Sequence, residues 1–369
     1  MESLEKEILK KYGGLESSNL NSVLKTNEDT DEEIETIIHS QYYNMDNIQN
    51  ISLPDRKTFN ILSINIQSLN AKYDNLVSML SILKEYNIAF SAICIQESWL
   101  NDYHDVSLVQ ISGYNMIHQG KQCCGHGGLI IYLQDQFQYT VRNMYDSSNV
   151  WEGLFIDIGG EDLSKKVTLC NIYRPSTRNE NNQVIDQFIT EISPIVENLS
   201  KENSTLIFAG DFNINLLNIN EREKIQDYFD LFVSRGLFPK ITLPTRLSTY
   251  SGTLIDQIFV RNPHCDQSSL SGIFFSTMSD HMPCFSFLDI MKQAIRPKKY
   301  ITVHTSSPEA VKSFCTHIKS TFQNISLDPD LTTDPNKNYN IFHDELTKAK
   351  DKHLPTKLKK FNKRKHKLI

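Results

Sequence analysis

The chain has 369 residues, 39% of them hydrophobic, and carries a formal net charge of −6. A chain of this length buries a substantial core, and it suits one domain of about 230 residues with flanking segments. No apolar run approaches the roughly eighteen residues of a membrane span, and the acidic N-terminus lacks the basic start of a secretory signal. The composition therefore predicts a soluble, intracellular protein without a membrane partner.

The first 57 residues are polar and include the acidic stretch 28–35. They lack a sustained hydrophobic period, apart from a short helical pattern around residues 32–40. Segments of this composition bury too little apolar surface to offset the entropy of ordering. We therefore expect residues 1–57 to form a mostly disordered lead-in.

Residues 58–290 hold β-rich apolar runs that recur at short intervals, with helical patterns between some of them. The predicted strands are residues 59–66, 89–95, 128–133, 154–158, 167–173, 205–209, 254–260 and 282–287. The predicted helices are residues 72–86, 183–199 and 220–234. Because hairpin-like and helix-linked strands are mixed, we predict two packed sheets covered by helices rather than one parallel doubly wound sheet.

Residues 291–369 lack further strand signals and show helical patterns at 308–322 and 339–352. We predict a separate, small helical segment that ends in a basic run. Clustered basic side chains neutralise a phosphate backbone, although a solvated tail is the plainer alternative. The candidates for contact with DNA in this run are Lys359, Lys360, Lys363, Arg364 and Lys365.

The seven cysteines form no CxxC pair, and three of them lie in or beside predicted strands, which favours a reducing compartment. Cys123, Cys124 and His126 cluster in a glycine-rich turn. A structural zinc site needs four ligands, and the sequence offers no convincing fourth nearby. We therefore do not expect zinc.

The motif Gly210-Asp211-Phe212-Asn213 directly follows the predicted strand 205–209. A carboxylate at a strand end can orient and deprotonate a water, and a neighbouring amide can stabilise a phosphate. An ordinary strand-to-loop turn is the alternative, since Gly, Asp and Asn are frequent in turns.

Two further motifs supply a histidine and its candidate partner. His281 follows Asp280 at the start of the last predicted strand and can donate to a phosphate oxygen if a carboxylate keeps it protonated. Asp256 lies inside an otherwise apolar strand, where an unpaired carboxylate is costly. His281 is the obvious partner for Asp256, and a lone surface histidine is the alternative.

Glu97 and Asn65 each stand at the end of an apolar strand. Mg²⁺ prefers a few hard oxygen ligands and keeps several waters, so a glutamate helped by an amide or a second acid suffices. Mn²⁺ is a candidate substitute. Solvent-facing polar residues are the alternative for each position alone, but polar groups at the ends of five separate elements favour a metal-dependent phosphodiesterase.

The order of these motifs resembles the endonuclease/exonuclease/phosphatase superfamily, and within it the apurinic-like endonuclease domain of non-LTR retrotransposon polyproteins. The resemblance covers roughly residues 58–289 and rests on SINIQSL, CIQESWL, NIYRPS, AGDFNIN, TLIDQIFV and SDHMPCF in family order. It implies a four-layered α/β sandwich and a Mg²⁺-dependent endonuclease that nicks DNA in the nucleus.

The resemblance also implies a role for each matched residue. Glu97 is expected to bind the metal with Asn65 and Asp280 nearby, and Asp211 to activate water. Asn213 and His281 are expected to hold the phosphate, Asp256 to orient His281, and Tyr173 to contact the scissile phosphate. Arg174 is a further candidate for contact with DNA. Gln67 stands where many apurinic endonucleases have an acid, which weakens a second-metal role and favours the retroelement branch.

The segment after residue 290 resembles the connector between endonuclease and reverse transcriptase in such elements. DNA is therefore the expected partner, together with element RNA or a downstream reverse-transcriptase domain. No Tyr-x-Asp-Asp polymerase signature appears in the sequence. The alternatives are a phosphatase or phospholipid phosphodiesterase on the same fold, and an inactive DNA-binding remnant of an element.

Overall fold

The computed structural model describes two compact units, which divide between residues 293 and 294. The described residues are 40–45, 48, 51, 53–54, 57–101, 103–119, 127–142, 150–176, 182–248, 250–261, 270–292, 300–304, 307–324, 335–354 and 356–360. None of the described helices is long and apolar enough to cross a membrane.

The first unit contains all of the strands that the sequence predicts. Its strands are, in chain order, β1 (Ser40–Tyr43), β2 (Phe59–Asn65), β3 (Ala92–Gln96), β4 (Tyr114–Gln119), β5 (Leu129–Gln134), β6 (Gln138–Val141), β7 (Glu152–Gly159), β8 (Val167–Tyr173), β9 (Thr205–Asp211), β10 (Phe238–Pro239), β11 (Arg246–Leu247), β12 (Gly252–Thr253), β13 (Asp256–Arg261), β14 (Leu270–Phe274) and β15 (Cys284–Leu288). Its helices are α1 (Leu69–Glu85), α2 (Asn182–Ser200) and α3 (Glu223–Val233), and it has 3₁₀ turns at Val106–Val109 and Leu216–Asn218.

The long strands form two mixed sheets. The first sheet has the order β1-β14-β15-β2-β3-β5-β4, and the second has the order β10-β13-β9-β8-β7-β6. Pairing is antiparallel except at β1 with β14 and β2 with β3 in the first sheet, and at β8 with β9 in the second. The short strands β11 and β12 pair separately as a hairpin.

The sheets pack face to face and helices cover their outer faces. The buried face of α1 packs on the first sheet through Leu76, Met79 and Leu83. On the second sheet, Phe232 of α3 stacks on Phe259 of β13 at a ring distance of 4.5 Å. Strands buried on both faces read as continuous apolar runs, which is why β8 and β9 are visible in the sequence. The predicted four-layered α/β sandwich is confirmed.

A short part of the predicted N-terminal lead-in forms a strand. Residues 40–43 form β1, which pairs with β14 at the edge of the first sheet. Ser40, at the end of the predicted helical pattern, therefore lies in a strand, while residues 1–39 lie outside the described part. The strand is too short to give a period, and its partner β14 is distant in sequence, so no local pattern reveals it.

The second unit contains two helices, α4 (Pro308–Asn324) and α5 (Pro335–His353), as the helical patterns predict. The rings of Phe322 and Phe342 lie 4.9 Å apart and join the helices. The sequence did not predict a hairpin in this unit, in which β16 (Tyr300–His304) pairs antiparallel with β17 (Thr356–Lys360).

Several residues singled out from the sequence fall at the edge of what the structure describes. Lys359 and Lys360 lie in β17. The remaining basic candidates, Lys363, Arg364 and Lys365, lie outside the described residues, as do Cys123, Cys124 and His126 of the glycine-rich turn.

Candidate active site

The register of both sheets brings polar strand ends to one end of the sandwich. In the second sheet, Asp211 of β9 is the partner of Asp256 on one side and of Tyr173 on the other. In the first sheet, Asn65 of β2 is the partner of Gln96, and Glu97 follows directly. Because the sheets pack face to face, the two rows of polar side chains meet.

The side-chain amide of Asn65 joins the two rows. Its Nδ2 donates to Glu97 Oε1 at 2.7 Å and to Asp211 Oδ2 at 2.9 Å. Two carboxylates can only accept from it, so they determine which side of the amide carries the nitrogen. Asn65 Oδ1 is consequently a buried acceptor, and it has no hydrogen-bond partner among the described residues. An unsatisfied buried acceptor is costly and indicates a missing cation or donor.

Glu97 is held by two further side chains. The indole Nε1 of Trp99 donates to Glu97 Oε2 at 3.1 Å. The hydroxyl of Tyr173 bonds to the same carboxylate, and burial followed by the charge of Glu97 raises the pKa of Tyr173. Glu97 is 9% exposed, so its carboxylate lies at the boundary between protein and solvent.

The backbone around these groups is strained. Left-handed backbone is uncommon for residues other than glycine and concentrates at functional sites, where the surrounding structure holds it in place. Among the described residues, the non-glycine positions with positive φ are Gln67, Ser68, Asn87, Glu97, Trp99 and Asn213. All of these except Asn87 belong to the motifs that carry the candidate site.

Asp211 ends β9 in a turn closed by Asn213. The Asn213 backbone N–H donates to Asp211 Oδ1 at 2.9 Å, and its side-chain Nδ2 lies 3.1 Å from Asp211 Oδ2. Gly210 has a φ of +146°, and a Cβ there would collide with the carbonyl oxygen of Ile172 on β8. The glycine before Asp211 is therefore required by the close approach of the neighbouring strand.

The prediction that Arg174 contacts DNA is wrong, because its side chain is fully buried. Its guanidinium donates to the carbonyl oxygens of Phe212 and Asn213, each at 2.7 Å. Asn213 Nδ2 in return donates to the Arg174 carbonyl oxygen at 2.8 Å. Arg174 thus supports the turn after Asp211 from inside, and its burial excludes direct contact with a bound polymer.

His281 and Asp256 form a buried pair. His281 Nδ1 lies 3.0 Å from both carboxylate oxygens of Asp256, and both residues are 2% exposed. Thr245 Oγ1 donates to Asp256 Oδ2 at 2.6 Å, which fixes the far side of the carboxylate. His281 Nε2 is directed toward Asp211, at 3.9 Å from Oδ2.

This geometry sets the charges at the site. Burial works to lower the pKa of His281, but the charges of Asp256 and Asp211 outweigh it and raise the pKa to about 9. Burial, followed by the charge of Asp256, raises the pKa of Asp211 to about 7. The imidazole is therefore a cation at neutral pH, and it lies between the carboxyl groups of Asp256 and Asp211.

Asp280 lies at the exposed rim of the site. Its Oδ2 accepts from Arg246 Nε at 2.8 Å, and its Oδ1 lies 3.9 Å from His281 Nε2. Burial works to raise the pKa of Asp280, but the charges of His281 and Arg246 outweigh it and lower the pKa. Part of the charge of this predicted metal ligand is therefore offset by an arginine.

Two sets of residues offer ligands for a metal ion. Asp211, Asp256 and His281 place one potential ligand atom each within 4.8 Å of one another. In that set the imidazolium of His281 already pairs with Asp256, so it takes the place that a metal cation would occupy. Glu97 with the unsatisfied Asn65 Oδ1 is the better fit, because carboxylate and amide oxygens are the hard donors that Mg²⁺ and Mn²⁺ accept.

Sequence reasoning missed several contributors to the site. Thr245 holds Asp256, and Trp99 holds Glu97. Asn171 crosses from β8 to the first sheet, where it accepts from Gln96 Nε2 at 2.6 Å and donates to the Ile95 carbonyl oxygen at 3.0 Å. Trp99 and Asn171 lie inside the recognised motifs, whereas Thr245 carries no local signal.

Residues 58–281 match the model of the endonuclease/exonuclease/phosphatase family. The chain belongs to this family. No curated protein gives a significant sequence match to the chain.

Solved structures with similarity to the chain include the following three enzymes. The endonuclease domain of TRAS1, a telomere-specific non-LTR retrotransposon, is 16% identical over 64% of this chain and 100% of that domain, with a TM-score of 0.48. An AP endonuclease from Archaeoglobus fulgidus is 16% identical over 63% and 100%, with a TM-score of 0.47. The 3′ phosphatase NExo from Neisseria, bound to a product DNA hairpin, is 15% identical over 63% and 99%, with a TM-score of 0.46.

The backbone clash at Gly210 generates a stability prediction. The substitution Gly210→Ala forces β9 away from β8 and lowers the free energy of unfolding by about 3 kcal/mol, from overpacking and strained φ together. Urea denaturation followed by circular dichroism measures this change. Gly159→Ala is the matched control, because a Cβ there has no neighbour within 4 Å. Equal stabilities of the two variants would contradict the packing argument.

Proposed function

We propose that this family member is a Mg²⁺-dependent endonuclease that nicks DNA in the manner of non-LTR retrotransposon endonucleases. The observation that carries the proposal is the Asn65 amide, which holds Glu97 and Asp211 together and leaves its own oxygen unsatisfied beside Glu97. The arrangement supports hydrolysis of a phosphate ester, because it combines a candidate cation site, a carboxylate base and a cationic imidazole.

The metal-binding part of the proposal rests on oxygen donors. Glu97 and Asn65 Oδ1 would hold Mg²⁺, with Asp280 nearby, and Mn²⁺ would be accepted by the same donors. When bound, the cation would neutralise charge on the phosphate oxygens.

The chemical steps fall to the chain's own residues. Asp211 is the candidate to orient a water and accept its proton, because Asn65 and Asn213 fix both of its carboxylate oxygens. His281 would donate from Nε2 to a phosphate oxygen while Asp256 holds Nδ1, so the proton and the ring orientation are set in advance. Tyr173 would contact the phosphate beside Glu97, and Asn213 would hold it by exchanging the Nδ2 bond to Asp211 for one to a phosphate oxygen.

DNA as the substrate rests on two features of the sequence. The motifs occur in the order and context of retroelement endonucleases, and basic residues concentrate in the last twenty positions. A nuclear site of action, with element RNA or a reverse transcriptase as further partners, belongs to the same proposal. A 3′ hydroxyl left by nicking could prime reverse transcription.

The proposal predicts a separation of binding from cleavage. Asp211→Asn retains the shape of the side chain but removes the base, so the variant binds supercoiled plasmid while the nicking rate with Mg²⁺ falls by about 10³-fold or more. Gel assays of nicking, with gel-shift assays of binding, measure the two properties.

The matched control is Asp135→Asn, an exposed aspartate that follows β5. It should nick plasmid at the wild-type rate, and EDTA should stop nicking by both active proteins. Wild-type nicking by Asp211→Asn would refute the assignment. Hydrolysis of a phosphomonoester or a phospholipid, with intact plasmid, would favour the other activities of the fold.

The hydrogen bond from Trp99 to Glu97 predicts an optical signal for metal binding. The chain has two tryptophans, so Trp151→Phe leaves Trp99 as the only indole. In that background, Mg²⁺ should change the Trp99 emission saturably, because the cation withdraws charge from the carboxylate that accepts the indole N–H. Glu97→Gln in the same background should abolish the response. An unchanged response in that variant would remove Glu97 from the metal site.

A further inference from the structure

The strand β1 lies outside the part of the chain that matches the family, which begins at residue 58. It pairs in parallel with β14, with Ser40 opposite Ser271 and Tyr43 opposite Phe274. The Tyr42 ring stacks on Phe275, which follows β14, with ring centroids 4.9 Å apart. The strand thus completes one edge of the first sheet.

Two side chains of β1 reach the segment between β10 and β11, which connects strands of the second sheet and the hairpin. Ser40 Oγ accepts from the Thr242 backbone N–H at 2.9 Å and lies 2.8 Å from Thr242 Oγ1. The Tyr42 hydroxyl donates to the Pro244 carbonyl oxygen at 2.8 Å. These groups are buried, so the bonds are shielded from competing water.

The residue after Pro244 is Thr245, which contacts both Asp256 and the residue that follows His281. Its hydroxyl donates to Asp256 Oδ2 and accepts from the Asp256 backbone N–H at 3.1 Å. Its carbonyl oxygen accepts from the backbone N–H of Met282, the residue next to His281, at 2.8 Å. A shift of Thr245 would therefore move Asp256 and His281 together.

We propose that β1 is a positioning strand for the Asp256–His281 pair, acting through Pro244 and Thr245. The inference rests on the proposed function, since it assigns β1 a part in the same reaction. A strand that only covered the sheet edge would pair with β14 but would not require the Tyr42 hydroxyl. The hydrogen bond to the Pro244 carbonyl links that hydroxyl, through the next peptide bond, to Thr245, which holds Asp256.

The test uses the full chain with Tyr42→Phe, which keeps the ring stack on Phe275 and deletes only the hydroxyl. The matched control is Tyr43→Phe on the same strand, whose hydroxyl donates within β1 to Gln41 Oε1 at 3.3 Å. Tyr42→Phe should lower kcat for plasmid nicking about tenfold with unchanged KM, because small displacements of catalytic groups are costly. Tyr43→Phe should retain the wild-type kcat.

A double-mutant cycle separates positioning from general stability. In a Thr245→Val background, where the hydroxyl link to Asp256 is already broken and only the backbone bond from Met282 to the Thr245 carbonyl remains, Tyr42→Phe should lower kcat by much less than tenfold. The same tenfold loss in both backgrounds would overturn the proposal, as would a wild-type kcat for Tyr42→Phe.

A spectroscopic measurement keeps the test independent of the activity. The buried Nδ1 proton of His281, bonded to Asp256, should give a downfield ¹H NMR signal that is absent in His281→Gln. Tyr42→Phe should shift this signal and Tyr43→Phe should not. If the wild-type chain failed to nick DNA, the proposed function would fail, while the signal would still decide whether β1 positions the pair. An unmoved signal in Tyr42→Phe would refute the positioning role.

Discussion

One side-chain amide connects the two sheets of the sandwich at the end where the candidate active-site residues lie. Asn65 comes from the first sheet and donates both of its amide protons to carboxylates, Glu97 from the same sheet and Asp211 from the other. Because each carboxylate accepts from the same nitrogen, the spacing of the two acids is set by one rigid group. The arrangement needs the two sheets in register at this end. Glu97 and Asn213 adopt strained, left-handed backbone conformations to meet this requirement.

The charges of the site follow from that constraint. Glu97, Asp211, Asp256 and Asp280 gather at one end of the sandwich, and the cationic His281 and Arg246 offset only part of their charge. A cluster with surplus negative charge and an unsatisfied amide oxygen favours a divalent cation at Glu97. The imidazolium of His281 also faces Asp211, with Nε2 3.9 Å from Oδ2, so a phosphate bound between His281 and a cation at Glu97 would be neutralised by both.

Much of this arrangement is encoded locally. The eight predicted strands are visible because most of their residues are buried, whereas the more exposed strands β4 and β6 were not predicted. The strand ends identify Asn65, Glu97 and Asp211 as candidates. Asp256 is recognisable because an acid inside an apolar strand needs a partner.

The features that the sequence does not reveal depend on contacts between distant residues. Arg174 looks like a surface arginine after a strand, yet its burial is decided by the turn at residues 211–213. Strand β1 is formed by pairing with β14, more than two hundred residues away, and no local pattern encodes it.

Asn65 and Asp211 are expected to act as one unit in catalysis, and a double-mutant cycle measures their coupling. The rates of plasmid nicking with saturating Mg²⁺ would be compared for wild type, Asn65→Ala, Asp211→Asn and the double variant. Residues that act as a unit give strongly non-additive losses, so the double variant should be scarcely slower than the worse single variant. Losses that multiply, with each substitution having its full effect in the presence of the other, would show that Asn65 and Asp211 act independently.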